Sequence, residues 1–448
     1  MGDRRFVFRG TRGLLGLVAV ALVAFSALVL TPIGGSRREP TTHGTTLLGS
    51  GSSLISVTCT TAKGFCIAGD VTGLYPGANL PLSLTITNPQ PVPITIQTLS
   101  VSSITGGTSA CPTSDLSATA VTGLPFTVGS GVTQTGPGSL HVHLAGATGN
   151  SCQGFAWTFN YGGTASYSQA STTTSLTTAP NPSLFGAPVT LTATVAAGPG
   201  FGTPTGTVSF YEGSPSGSHV LLGASSLSGG TAQWSTSGLP GGTDQLYATY
   251  SGNGYFTAST GTASQSVQFT RCITTKVNSL TVTAGQSICV SRPGSVSGGI
   301  TVQSGGALSV NGASVGGTIT STGATAITVC GATVNGGVIV SNTTGFVSIG
   351  DGGDDGPAGC TTNSVTGGVT LKSNTGGAEV AGNSIAGGLT FTSNSGSGPA
   401  AEDATPEIES NSINGSLSCS PNTMVVSDGG QKNTVTGARN GPCSSSNF

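Results

Sequence analysis

The sequence predicts an all-β protein, two β-sandwiches followed by a parallel β-solenoid, with one N-terminal signal or anchor helix. Three observations predict it. From Val296 onward one phrase recurs, an apolar residue, x-Gly-Gly, then an apolar-x-apolar run: VSGGITV at Val296, VGGTIT at Val315, VNGGVIV at Val334, VTGGVTL at Val365, IAGGLTF at Ile385 and, imperfectly, INGSLSC at Ile413. The successive spacings are 19, 19, 31, 20 and 28 residues. A unit this short cannot bury its apolar face alone and must stack coil on coil. Upstream, short alternating apolar runs are broken by Pro, Gly and Asn, the pattern of antiparallel strands and turns. No stretch beyond residue 40 sustains a 3.6-residue apolar period, so helix should be nearly absent there.

Residues 1–38 differ in kind. Arg4, Arg5, Arg9 and Arg12 precede an apolar run from Leu14 to Leu30, the order of an export signal. Arg4-Arg5 with the following Phe-Val-Phe-Arg faintly resembles a twin-arginine signal. The run is long for a cleaved signal and short for a spanning helix, so cleavage and retention as an N-terminal membrane anchor (residues 14–30) both stand open. Either places the rest of the chain outside the cytoplasm, secreted or at the cell surface. Residues 39–52 read as a Gly/Ser/Thr linker.

Charge excludes some partners. Only 6% of residues are charged, and six of the 13 Lys and Arg lie at or before Arg38. The remainder is mildly acidic and has no clustered basic face, which argues against a nucleic-acid partner. Membrane contact is expected through the N-terminal segment alone.

Ten cysteines divide as four early (Cys59, Cys66, Cys111, Cys152) and six late (Cys272, Cys289, Cys330, Cys360, Cys419, Cys443). Even numbers per segment of an exported chain read as disulfides. Val334 to Val365 advances 31 residues and Cys330 to Cys360 advances 30, so those cysteines should stack on neighbouring coils, about 4.8 Å apart. Cys419 with Cys443 fits the same way, and Cys272 with Cys289 would staple the first coil. Cys111 with Cys152 should tie the first sandwich, and Cys59 with Cys66 close a local loop.

Residues 53–170 form the first β-sandwich. The phrases GLYPGA (Gly73 to Ala78), LSLTITNP (Leu82 to Pro89) and CQGFAWTFNYGGTAS (Cys152 to Ser166) resemble a β-sandwich module recurrent in exported actinobacterial proteins. Residues 171–270 carry TTTSLTTAPNPSLFGAPVTLTATV (Thr172 to Val195), GTPTGTVSFYEG (Gly202 to Gly213), GGTAQW (Gly229 to Trp234) and LYATYSGNGYFTAS (Leu246 to Ser259). This succession resembles bacterial group 3 Ig-like domains, a resemblance that implies spacing or weak adhesion rather than chemistry. Val189, Leu191, Ala193 and Val195 alternate to one face, as do Val208 and Phe210.

Residues 271–448 form the solenoid, about seven coils and roughly 35 Å long. Asn recurs at Asn363, Asn383, Asn411 and Asn433, and Ser-Asn pairs start at Ser341, Ser373 and Ser393. Asn tolerates left-handed backbone at a corner, and stacked Asn amides form a hydrogen-bonded ladder. The segment resembles the C-terminal repeat region of secreted actinobacterial proteins of unassigned function.

Candidate chemistry is sparse. Asp351, Asp354 and Asp355 in one overlong coil offer clustered carboxylates for Ca²⁺, against the plainer reading of a solvated turn. No other cofactor is indicated. Glu402, Asp403, Glu407 and Glu409 fill a second acidic insertion, and repeat alignment sets Glu379 and Glu407 at equivalent outward positions, like charges on one face. Paired carboxylates also serve glycosidases, but such sites add basic groups, and past residue 292 these are Lys372, Lys432 and Arg439, on different coils. GASVG (Gly312 to Gly316) satisfies a nucleophile-elbow pattern but lies inside a repeat, and His43, His141, His143 and His219 all precede it. His141 and His143 share one strand face with no third ligand nearby in sequence.

The expectation is therefore a non-enzymatic, exported structural or adhesive protein, its Ig-like modules spacing a disulfide-stapled solenoid that contacts a glycan or protein. The alternatives are a polysaccharide-acting β-helix enzyme, a lyase or hydrolase marked by Asp351, Asp354 or Glu379 gathered with Lys372, and a calcium-stabilised spacer.

Overall fold

The computed structural model describes residues 43–47 and 64–448, except 72, 147, 149–151, 153–154, 156, 352–359, 401–403, 421, 423–424 and 446–447. The expected signal segment, Cys59, Asp354, Asp355, Glu402 and Asp403 lie outside the described residues. The fold is all-β, with three parallel sheets in the C-terminal part.

In the first sandwich, one antiparallel sheet holds Trp157–Ser166, Ile94–Thr105 and Phe126–Val128, and the other holds Cys66–Asp70, Asn79–Thr87, Leu140–Leu144 and Leu116–Ala118. Alternation dictates the packing: Leu82, Leu84 and Ile86 point inward from one sheet and meet Ile94, Ile96, Phe159 and Tyr161 from the other. His43–Leu47, expected as linker, is instead an edge strand paired antiparallel to Tyr161–Trp157. Its Thr-Thr-Leu was β-prone, but a five-residue run in a Gly/Ser/Thr context gives a linker reading by composition.

The Ig-like module has a three-stranded sheet (Thr172–Ala179, Val189–Ala197, Thr231–Thr236) facing a five-stranded one (Ser183–Leu184, Ser259–Gln268, Gly242–Tyr250, Thr207–Gly213, His219–Ser226). Val189, Leu191, Ala193, Val195, Val208 and Phe210 are buried in its core. Tyr250 is fully buried as well, and its hydroxyl donates to the Thr205 carbonyl at 2.8 Å. This places its polar tip where burial would otherwise leave a hydroxyl unmet.

The solenoid is a three-faced prism. Its first face is a seven-stranded sheet running from Arg271–Ile273 to Glu407–Glu409. The second, the serine face, stacks eight short strands from Lys276–Val277 to Thr434–Val435, and the third, the threonine face, eight from Leu280–Val282 to Arg439–Asn440. All pairings are parallel and in register, one coil upon the next. Val, Ile and Leu from every face converge on one continuous apolar interior.

The Gly-Gly phrase turns the corner between the serine and threonine faces, where backbone stacks on backbone: a Cβ at Gly367 would lie 2.7 Å from the Gly337 amide nitrogen. At the corner after the first face, the side-chain amide of Asn363 donates to Asn383, Asn383 to Asn411 and Asn411 to Asn433, each at 2.8 Å. A shorter ladder joins Asn374 to Asn394 at the corner after the threonine face. The left-handed backbone, expected at the Asn, is found there at Asn342, but in later coils it falls one residue earlier, at Ser373, Ser393 and Ser410 and, before Asn383, at Gly382. The Asn must turn its side chain inward to reach its neighbours, and the preceding residue takes the bend.

Disulfides join Cys111–Cys152, Cys272–Cys289, Cys330–Cys360 and Cys419–Cys443, with Cα separations of 5.4, 4.4, 5.4 and 5.6 Å. The last three pairs are those that coil spacing requires. Cys66 is also disulfide-bonded.

Candidate functional site

Alternation on the first solenoid face sends Ile288, Val290, Leu308, Val310, Ile327 and Val329 inward, leaving the intervening residues to face out. One outward column is small: Ser287, Ala307 and Ala326 stand in register. The Ig-like module docks there. Ala307 and Ala326 are buried in its core cluster, the Ser287 hydroxyl donates to the Phe185 carbonyl at 3.1 Å, and a Cβ on Gly186 would come within 2.8 Å of Ala326 Cβ. Gly186 also has a φ of +78°, so both backbone and space demand glycine. The module thus lies along the flank of the solenoid, in contrast to the expected serial arrangement. It is held from the other side too, where the Tyr255 hydroxyl donates to the Gln90 side chain of the first sandwich at 2.7 Å.

The next outward column begins at Cys272 and continues through Cys289, Ser309, Thr328, Ser348, Glu379 and Glu407 in unbroken register. Here the two modules part and leave a cavity of about 190 Å³. Ser309, Thr328, Ser348 and Glu379 line it from the solenoid, and Phe185, Phe269, Pro240 and Glu212 from the Ig-like module. The Phe185 and Phe269 rings lie 5.1 Å apart, tilted by 34°.

Glu212 continues the inward series Val208, Phe210, and its strand partner is Leu246. Asp244, two residues before Leu246 on the same side of its strand, is 8% exposed, and its Oδ2 is buried without a hydrogen-bond partner. Burial first, and then the charge of Asp244, push the Glu212 carboxyl up to about 7; burial pushes Asp244 up to about 7 as well. Both hold a proton more readily than an exposed carboxylate.

The expected site residues fall as follows. Glu379 and Glu407 do occupy equivalent outward positions and pair in register; both are buried, as is Glu409. Lys372 is exposed on the threonine face, a different face from Glu379, so the cleft that would mark a polysaccharide-acting enzyme does not bring them together. Asp351 follows the strand Val347–Gly350 and is half-buried. Among the described residues no group of three or more His, Cys, Asp or Glu is placed to hold a metal ion. His143 bonds the Ala78 carbonyl through Nδ1 at 3.0 Å, and Ser314 of the GASVG string is one more outward rung of the serine face, between Ser295 and Thr333. Glu212 and Asp244 were missed, although each is a carboxylate at an inward position of an alternating strand, a signal visible in sequence.

The threonine face is open. Its outward column reads Thr281, Thr301, Thr320, Ile339, Thr370, Thr390 and Ser418 in register. Adjacent rungs are about 4.8 Å apart, so the column is a regular row of hydroxyls and methyls.

Fold and site define a multi-module β protein, an Ig-like domain clasped between a sandwich and a disulfide-stapled solenoid. Residues 176–270 match the bacterial Ig-like domain (group 3) family. Compared with curated proteins and with solved structures, the chain gives no match.

Proposed function

We propose that this is an exported structural and adhesive protein, secreted or held at the cell surface, whose solenoid makes contact with a glycan or protein partner through its threonine face. The observation that carries the reading is the in-register, uncharged Thr column across that face, exposed at Thr281, Thr301, Thr320 and Thr390. A folded surface ordinarily relies on interspersed charge. A column that replaces charge with ordered hydroxyls is suited to exchanging its water for another neutral, hydrogen-bonding surface. The disulfides and the bacterial Ig-like domain support a location outside the cytoplasm. The protein acts by binding rather than by turnover.

The test is a glycan array probed with the purified chain, with calcium and with EDTA, while the same ligands are assayed for release of sugar. Binding without release supports the reading; release of sugar contradicts it.

A further inference from the structure

We propose that the cavity between the Ig-like module and the solenoid binds a small organic cation with an apolar body, its ammonium head at Glu212 and its body against Phe185 and Phe269. Ligand sites favour domain interfaces, where apolar walls meet a few convergent polar groups. This cavity has that make-up, about 190 Å³ in volume, with aromatic walls and a carboxylate from each module, Glu212 and Glu379. Among the described residues no Lys, Arg or His lines it. Behind Glu212 stands Asp244, more than nine-tenths buried, with an oxygen that no hydrogen bond satisfies. A buried anion such as Asp244 is costly unless a cation is brought to it, and the described side chains lining this space do not supply one beside Glu212.

The walls select the kind of cation. A bare divalent ion takes six to eight oxygens, whereas one side of this space is made of phenylalanine and proline. Aromatic faces attract organic ammonium groups and cover an apolar body at the same time.

Binding should be linked to protons. The titratable groups around Glu212 are Asp244 on the neighbouring strand and Glu379 across the cavity. With Glu212 titrating at about 7, an amine that remains charged across this range must wait for the carboxyl to ionise. Affinity should therefore rise about tenfold from pH 6 to pH 8.

Isothermal titration of the full chain with benzylamine, with benzyl alcohol as the neutral isostere and with calcium chloride as competitor, tests this. Benzylamine should bind and tighten with pH, benzyl alcohol should bind at least about tenfold more weakly, and Glu212→Gln should lose that preference. Phe269→Leu, which keeps the charge and trims the wall, should weaken benzylamine while retaining its pH dependence, and serves if Glu212→Gln fails to fold. Absence of benzylamine binding, equal binding of the alcohol, a flat pH profile or displacement by calcium would each overturn the proposal.

Discussion

The side-chain amide of Asn383 donates to Oδ1 of Asn411, one coil further on, at 2.8 Å, and also to the Ile349 carbonyl on the coil before. One side chain thus ties three coils together in the buried interior. In the earlier coils the same column holds Ala313 and Ala332, and the Ala332 amide donates to Asn363, where the ladder begins.

Removing a rung strands its partners. Asn383→Ala leaves the Ile349 carbonyl and Asn411 Oδ1 short of a donor and should lower stability by about 2–4 kcal/mol, read from urea unfolding. Asn422→Ala, where Oδ1 accepts the Asn394 backbone amide at 2.7 Å at the half-buried end of the second ladder, should cost clearly less. Equal losses would deny the ladder its cooperative role.

Corner backbone gives a second expectation. Ser393 has a φ of +55°, a region costing a non-glycine residue roughly 1–2 kcal/mol. Ser393→Gly should be neutral or stabilising by up to about 1 kcal/mol despite the entropy of glycine, whereas Ser393→Val should destabilise by at least about 1 kcal/mol. Thermal unfolding of the pair decides.

The docking of the Ig-like module depends on Gly186. Gly186→Val adds strain at positive φ and drives side-chain atoms into Ala326. It should separate module from solenoid without unfolding either, enlarging the molecule in small-angle scattering and exposing the joining segment to protease. A full loss of folded signal would show that docking and folding are one event.

The carboxyl pair sets a pH trend. Glu212 rises from 4.5 to about 7 and Asp244 from 3.8 to about 7 on folding. Between these limits the folded chain holds protons that the unfolded chain has released, so these groups make stability fall as pH rises, with the loss complete above about 7. Asp244→Asn should flatten that slope in urea titrations across the window; a slope unchanged by Asn would assign it elsewhere.

Much of the solenoid was legible because every coil repeats the same physical demand. Val334 and Val365 had to stack, and Cys330 and Cys360 followed with them. Glu379 and Glu407 could be set in register from the repeat alone. What the repeat did not disclose was which face another module would cover. That depends on Gly186 meeting Ala307 and Ala326, residues from two modules whose smallness has meaning only once they are in contact. The corner strain sits at the Asn at Asn342, as expected, whereas beside the ladder Asn it is Ser373 and Ser393 that take the unusual backbone, because a ladder Asn must turn inward to its neighbours. The cavity was hidden for the same reason as the docking, although the inward parity of Glu212 was there to be read.

The reading of the threonine face as the contact surface is tested most directly by removing its hydroxyls without changing its shape. The triple variant Thr301→Val, Thr320→Val, Thr390→Val should keep the melting temperature within a few degrees, since these side chains are exposed and β-branched in either form. Presented to the ligands that the unaltered chain binds, the variant should lose binding. Binding that survives intact would contradict the assignment and move the contact to another surface.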